Sequence, residues 1–188
     1  MATPIPQAFL LVDGYNIIGN WNSLKQTRDR HGLEPARREL VEMLINYTAH
    51  KGYEAEVVFD AQYRKTPSIK EQFTPNLAVC YTAFAETADT YIEKICAGFS
   101  RKTNPAPSRI IVATSDRAQR LTVVGYGAEW LSAQRLGSEV DLTIRHLNKP
   151  QQPRQQTQSR FLASSLDAQV RQRLAQLRLG IVPPSPEA

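Results

Sequence analysis

Three short apolar runs in this chain each end in an aspartate: Phe9 to Val12 before Asp13, Val57 to Phe59 before Asp60, and Ile110 to Ala113, with Thr114 and Ser115, before Asp116. Runs of that length are too short for helices and read as buried strands. Between them lie segments whose apolar residues recur at helical spacing. Leu40, Met43, Leu44 and Tyr47 do so within Glu34 to His50, and Tyr91, Ile92, Ile95 and Phe99 within Glu86 to Phe99. Strands alternating with helices imply an α/β fold around a mostly parallel sheet. In such a sheet a ligand sits beyond the carboxyl ends of the strands, which is where Asp13, Asp60 and Asp116 fall.

The rest of the chain fits this plan. Glu54 to Asp60, Leu77 to Thr82 and Ser108 to Ser115 read as strands, and Glu129 to Ser132 as a short edge strand. Arg117 to Val124 reads as a short helix stopped by Gly125-Tyr126-Gly127. Ser132 is placed to cap a last helix, reaching about Leu147, whose Leu136, Val140, Ile144 and Leu147 share a face. Residues 14 to 33 and 61 to 75 are expected to be loops. The domain spans residues 8–148. Residues 149–160 carry no apolar side chain and are expected to form an extended linker. In 161–188, Leu166, Val170, Leu174 and Leu177 line one face of a helix ending near Gly180, expected to pack back on the body or to engage a partner.

Charge is unevenly placed: residues 1–148 hold 17 Lys and Arg against 16 Asp and Glu, while 149–188 hold 6 against 2. A basic appendage suits either an anionic partner such as nucleic acid or simple solvation. Cys80 and Cys96 lie in apolar stretches, which excludes a disulfide framework or a Cys-rich metal site. No basic leader or long apolar run opens the chain, so a cytoplasmic location is expected. His31, His50 and His146 show neither zinc-ligand spacing nor a nucleophile partner, and no phosphate-binding glycine loop is present. An aspartyl-nucleophile phosphatase would place a second acid two residues after the first, where this chain has Tyr15.

What remains is the acids. Glu86 and Asp89, three residues apart, are expected on one helical face beside a sheet edge that already carries three aspartates. Two carboxylates about 5 Å apart at an effective dielectric near 20 repel by about 3 kcal/mol. A hard divalent cation, Mg²⁺ or Mn²⁺, relieves that repulsion with oxygen ligands only. Any single Asp after a strand is also an ordinary turn-former or helix cap. Asn16 either orients a water or a carboxylate or serves its own turn. Thr114 and Ser115 either bond a carboxylate or end the strand.

The stretch Leu11-Val12-Asp13-Gly14-Tyr15-Asn16-Ile17-Ile18-Gly19, with Val57-Val58-Phe59-Asp60-Ala61, Glu86-Thr87-Ala88-Asp89-Thr90-Tyr91-Ile92-Glu93 and Ala113-Thr114-Ser115-Asp116, resembles the YacP-like branch of the NYN domain family. The resemblance covers roughly residues 8 to 148 and implies a PIN-like, three-layer fold with a Mg²⁺ or Mn²⁺ site of acids at the strand ends. It further implies an endoribonuclease, of a type that cleaves messenger RNA on the ribosome. Carried over by motif, Asp13, Glu86, Asp89 and Asp116 correspond to the metal-binding set, and Asn16 and Asp60 to flanking catalytic-site residues. Where relatives carry a further acid, this chain has Thr90, leaving Glu93 as the nearest replacement.

On the expected loops bordering the site, Trp21, Lys25, Arg28, Arg30 and His31, and Tyr63, Arg64, Lys65 and Lys70, mix cations for phosphate with rings for base stacking. Arg101, Lys102 and Arg109 precede a strand and are expected on the opposite edge. Two other readings stand beside the nuclease: a non-catalytic module docking on RNA or the ribosome through a residual acidic pocket, and a metal-dependent phosphatase or flap-type DNA nuclease.

Overall fold

A computed structural model describes residues 5–60, 67–100 and 107–148. Six strands, β1 (Ala8–Asp13), β2 (Tyr53–Phe59), β3 (Ile69–Thr74), β4 (Leu77–Tyr81), β5 (Ile110–Ala113) and β6 (Glu129–Leu131), form one sheet in the order β3-β4-β2-β1-β5-β6. All neighbours run parallel except β3, which returns antiparallel along β4. The helices are α1 (Gly14–Asn20), α2 (Asn22–His31), α3 (Leu33–Lys51), α4 (Ala88–Ser100), α5 (Arg117–Gly125) and α6 (Ala133–Asn148).

Alternation along the strands splits the core in two. Leu10, Val12, Val57 and Phe59 face α1, α2, α3 and α6, where Leu24, Leu40, Leu44 and Leu136 pack on them. Leu11, Val58, Ile110 and Val112 face α4 and α5, against Ile92, Cys96 and Val123. The three layers and the mostly parallel sheet agree with the sequence reading. Helix boundaries agree too: Gly52 ends α3 in the left-handed region at φ 65°, and the Ser132 hydroxyl accepts from the Arg135 amide at 3.2 Å as the cap of α6.

Three elements were not expected. Residues 14–33 are two helices rather than a loop: α1 has only 7 residues, and α2 buries a single side chain, Leu24, so neither carries a readable apolar stripe. The third is β3, whose residues are nearly all exposed, so its strand character comes from pairing with β4 rather than from burial. Its Lys70 reaches across β4 to Glu56, a carboxylate 1% exposed that accepts from Lys70 Nζ and from the Tyr91 hydroxyl, each at 2.6 Å.

Cys80 and Cys96 are buried free thiols, and His31, His50 and His146 are exposed. Arg109 forms a two-pronged pair with Glu129 at 2.6 and 2.7 Å, at the start of β5 and so away from the strands' carboxyl ends. No described helix is long and apolar enough to cross a membrane. Tyr63, Arg64, Lys65, Arg101, Lys102, the linker at 149–160 and the helix expected in 161–188 lie outside the described residues.

Candidate active site

β1 and β5 are neighbours at the point where successive strands stop adding on one side of β1 and begin adding on the other. A sheet of this class opens a crevice there, at its carboxyl edge. Asp13 closes β1 and caps α1, its Oδ1 accepting from the Asn16 amide at 3.1 Å. Asp116 does the same after β5, capping α5 through the Gln119 amide at 2.9 Å. Asp60, just after β2, accepts from the Ala88 amide at the start of α4. Asp89, in the first turn of α4, accepts from Gln119 Nε2 at 2.6 Å. The capping role is thus real for these residues and does not exclude a second one.

Asp13 lies at the floor, 8% exposed; Asp60 is half-buried, and Asp89 and Asp116 form an exposed rim. Burial pushes the Asp13 carboxyl up to about 7, assisted by the charges of Asp89, Asp60 and Asp116 and opposed by the Asn16 amide. Asp89 is also raised, by partial desolvation first and then by Asp116, Asp60 and Glu93. The carboxylates that follow β2 and β5, Asp60 and Asp116, therefore act on both Asp13 at the end of β1 and Asp89 in α4. Among the described residues no lysine or arginine pairs with any of them.

This donor set fits a hard divalent cation in charge and in chemistry, being oxygen without sulfur or imidazole. Gln119 adds a buried amide whose Oε1 has no donor among the described residues. Yet as the side chains stand, no three described His, Cys, Asp or Glu residues converge closely enough to hold an ion. Each aspartate is turned toward its own backbone or amide donor through Oδ1, and mutual repulsion favours that arrangement.

Several expectations need correction. Glu86 is not on the helical face with Asp89: α4 begins at Ala88, and the Glu86 carboxylate accepts from Lys94 Nζ at 2.6 Å. Glu93, one turn beyond Asp89, is the glutamate whose charge Asp89 senses. Thr90 joins the Thr87 hydroxyl, which accepts the Thr90 amide at 3.2 Å to cap α4. The Asn16 Oδ1 accepts from the Ser115 amide at 2.7 Å and ties the turn after β1 to the one after β5.

Among the expected RNA contacts, Trp21 is a core residue, 8% exposed, with its indole N–H donating to the Ala133 carbonyl at 2.7 Å. Trp21→Phe should therefore lower stability by about 1–3 kcal/mol through the lost buried hydrogen bond and packing. A thermal melt alongside an RNA titration checks this: the melting point falls and affinity holds, whereas a base-stacking tryptophan would show the reverse. Lys70, its side chain 53% exposed, pairs with the buried Glu56 carboxylate at 2.6 Å. Lys25, Arg30 and His31 are exposed on α2, and Arg28 pairs with Asp29 at 2.9 Å. One turn after Asp116, the Arg120 guanidinium lies 4.0 Å from the Trp130 ring centroid, a contact the sequence reading did not include.

Comparison with known proteins gives one consistent answer. The family model of the YacP-like NYN domain matches residues 10–179. The chain is 36% identical over 140 residues to the YacP protein of Bacillus subtilis (strain 168), covering 74% of this chain and 79% of that one. It is similar to the crystal structure of Rae1 (YacP) from Bacillus subtilis, with 31% identity and a TM-score of 0.62 over 92% of this chain and 87% of the other. The crystal structure of a tryptophan-to-leucine mutant of that protein matches with 34% identity and a TM-score of 0.60, over 74% and 77%.

Proposed function

The chain belongs to the YacP-like NYN domain family, and on that premise we propose that it is a divalent-cation-dependent endoribonuclease that hydrolyses RNA phosphodiesters, acting on messenger RNA at the ribosome in the cytoplasm. The family is nuclease-like, and the observation that carries the reading is the set of four aspartates around the β1–β5 crevice with no described cationic partner. Asp13, Asp89 and Asp116 would hold Mg²⁺ or Mn²⁺. Bound there, the ion supplies Lewis-acid charge on the phosphoryl oxygens and a water of lowered pKa.

The chain's own residues do the rest. Asp13, its carboxyl pushed up to about 7 by burial, would hold the cation as the carboxylate, its proton released to solvent. Asp60 holds the start of α4, and so Asp89, in place. Asn16 and Thr114 keep the turns after β1 and β5 in register, the latter by accepting the Asp116 amide at 3.0 Å. Glu86, occupied by Lys94, is not required in this scheme. Exposed Lys25 and Arg30 supply sequence-independent attraction for the polymer, and the basic residues of 149–188 suit a partner built of RNA.

The test is to offer single-stranded RNA, free and on translating ribosomes, with Mg²⁺, Mn²⁺ or EDTA, beside a nucleotide monoester and branched DNA. Internal cleavage of RNA alone, stopped by EDTA, is the expected result. Cleavage that survives EDTA overturns the mechanism, and binding without cleavage under every condition favours the non-catalytic module.

A further inference from the structure

Arg37, early in α3, lies over the carboxyl ends of β2 and β4. Its guanidinium carbon is 5.9 Å from the Phe59 ring centroid and 5.7 Å from that of Tyr81, and its Nη1 donates to the Tyr15 hydroxyl at 3.0 Å. The rings support one another: Phe59 and Tyr81 stack with centroids 5.8 Å apart and planes 26° apart, and Tyr15 tilts onto Phe59 at 5.1 Å. They also belong to the strand ends that carry the acids. Tyr15 is two residues after Asp13, Phe59 immediately precedes Asp60, and Tyr81 is the register partner of Phe59.

The guanidinium is only half used. Nη2 meets one oxygen of Glu34 at 2.5 Å, while Nε is buried with no partner among the described residues. Buried polar atoms are ordinarily satisfied, so an orphaned Nε–H beside a part-occupied edge needs a reason. Nε and Nη2 together form the edge of arginine that grips an oxyanion through two parallel bonds. Glu34 is a weak occupant of that edge. Its side chain is 63% exposed, and a surface pair of this kind contributes at most about 1 kcal/mol.

We infer that Arg37, aligned by Tyr15 and by the stacked Phe59 and Tyr81 rings, is a phosphate-binding residue for single-stranded RNA: its Nε and Nη2 take two oxygens of a phosphodiester adjoining the acidic crevice, displacing the Glu34 carboxylate that stands in for phosphate in the free protein. The inference deepens the nuclease reading and rests on it for the identity of the polymer. Two phosphate oxygens on a planar fork fix the backbone's orientation as well as its position, which an exposed lysine does not do. The supporting rings hold the guanidinium flat, so less side-chain freedom is lost on binding.

The experiment is a titration of the full chain with a labelled, unstructured oligoribonucleotide in EDTA, which prevents cleavage, repeated across a salt series. Arg37→Gln should weaken binding about tenfold and reduce the slope of log affinity against log salt by about 0.7, the value for one contact on a single strand. Arg37→Lys, which keeps the charge and loses the fork, should recover only part of the affinity. Glu34→Gln should strengthen binding several-fold beyond Glu42→Gln, an exposed position on the same helix that controls for net charge. A purely structural arginine would not produce that gain, and Glu34→Gln, at an exposed site, keeps the test decisive if Arg37→Gln fails to fold. The inference is overturned if Glu34→Gln matches Glu42→Gln, or if folded Arg37→Gln keeps the wild-type slope. Cleavage in Mn²⁺ that coexists with such insensitivity sinks this inference alone. Arg37 and Glu34 effects on binding by a protein that never cleaves sink the nuclease reading and leave this one standing.

Discussion

Asp13→Asn is expected to lower RNA cleavage by about a hundred- to a thousandfold, the scale at which a main electrostatic contributor to a reaction is lost, and yet to make the protein harder to melt at pH 8 in EDTA. The second half follows from the raised carboxyl. The folded protein holds the Asp13 proton up to about pH 7, whereas the unfolded chain releases it near 3.8. Below about pH 4 both states are protonated and the residue costs nothing; between about 4 and 7 the unfolded chain ionises first, so stability falls as pH rises; above about 7 the full cost remains. That cost is at most about 4 kcal/mol. Asparagine carries no charge and still offers an oxygen to the Asn16 amide, so the cap survives. The variant should melt about 5–10 °C above wild type at pH 8 and level with it near pH 4. Mg²⁺ or Mn²⁺ at a hundredfold excess over its Kd should then stabilise the wild type by about 2.7 kcal/mol and leave the variant unmoved. Melting curves against pH, with and without cation, read all of this. Equal melting points at pH 8, or undiminished cleavage, would remove Asp13 from the centre of the site.

Gly14→Ala should damage fold and activity together. A Cβ there would stand 2.2 Å from Cε1 of Phe59. The ring cannot swing aside, being fully buried and hemmed in by Tyr15, Tyr81 and Arg37. Overpacking of this severity costs about 3 kcal/mol, or about 6–12 °C in melting point for a chain of this size. Because Gly14 is the first residue of α1 and Asp13 is its cap, a shifted α1 moves the carboxylate as well, and cleavage should fall more than tenfold at temperatures where the variant is still folded. Phe59→Leu makes room. In the double variant the losses should fail to add by more than about 1 kcal/mol, the signature of residues in contact. A Gly14→Ala protein that melts like the wild type would show that the glycine is not needed for close packing.

How much of this was legible beforehand depends on where the information lies. Asp13, Asp60 and Asp116 could be placed at one edge because a short apolar run bounded by a turn has few alternatives to a buried strand, and parallel strands put their carboxyl ends together. Asp89 could be placed because the apolar spacing of Tyr91, Ile92 and Ile95 gives α4 its phase. Glu86 could not, because whether a helix starts at 86 or 88 turns on a capping hydroxyl, here Thr87, worth about 1 kcal/mol. Exposed β3 and α2 were illegible for a different reason: each is held by pairing with or packing on the element that follows it, β4 or α3, and their polar, exposed residues carry no periodicity that announces a strand or a helix.

Local pattern by itself therefore determined the class of fold, the strands that carry acid and the chemistry of the donor set, since apolar periodicity and charge are properties of nearby residues. Only the tertiary structure decided that Trp21 is a core anchor bonded to Ala133, that Lys70 belongs to Glu56, and that Arg37 lies over Phe59 and Tyr81 with an unmet N–H. Each of those is a contact between residues distant in sequence, and the burial that settles its energy exists only once the sheet and its helices have closed on each other.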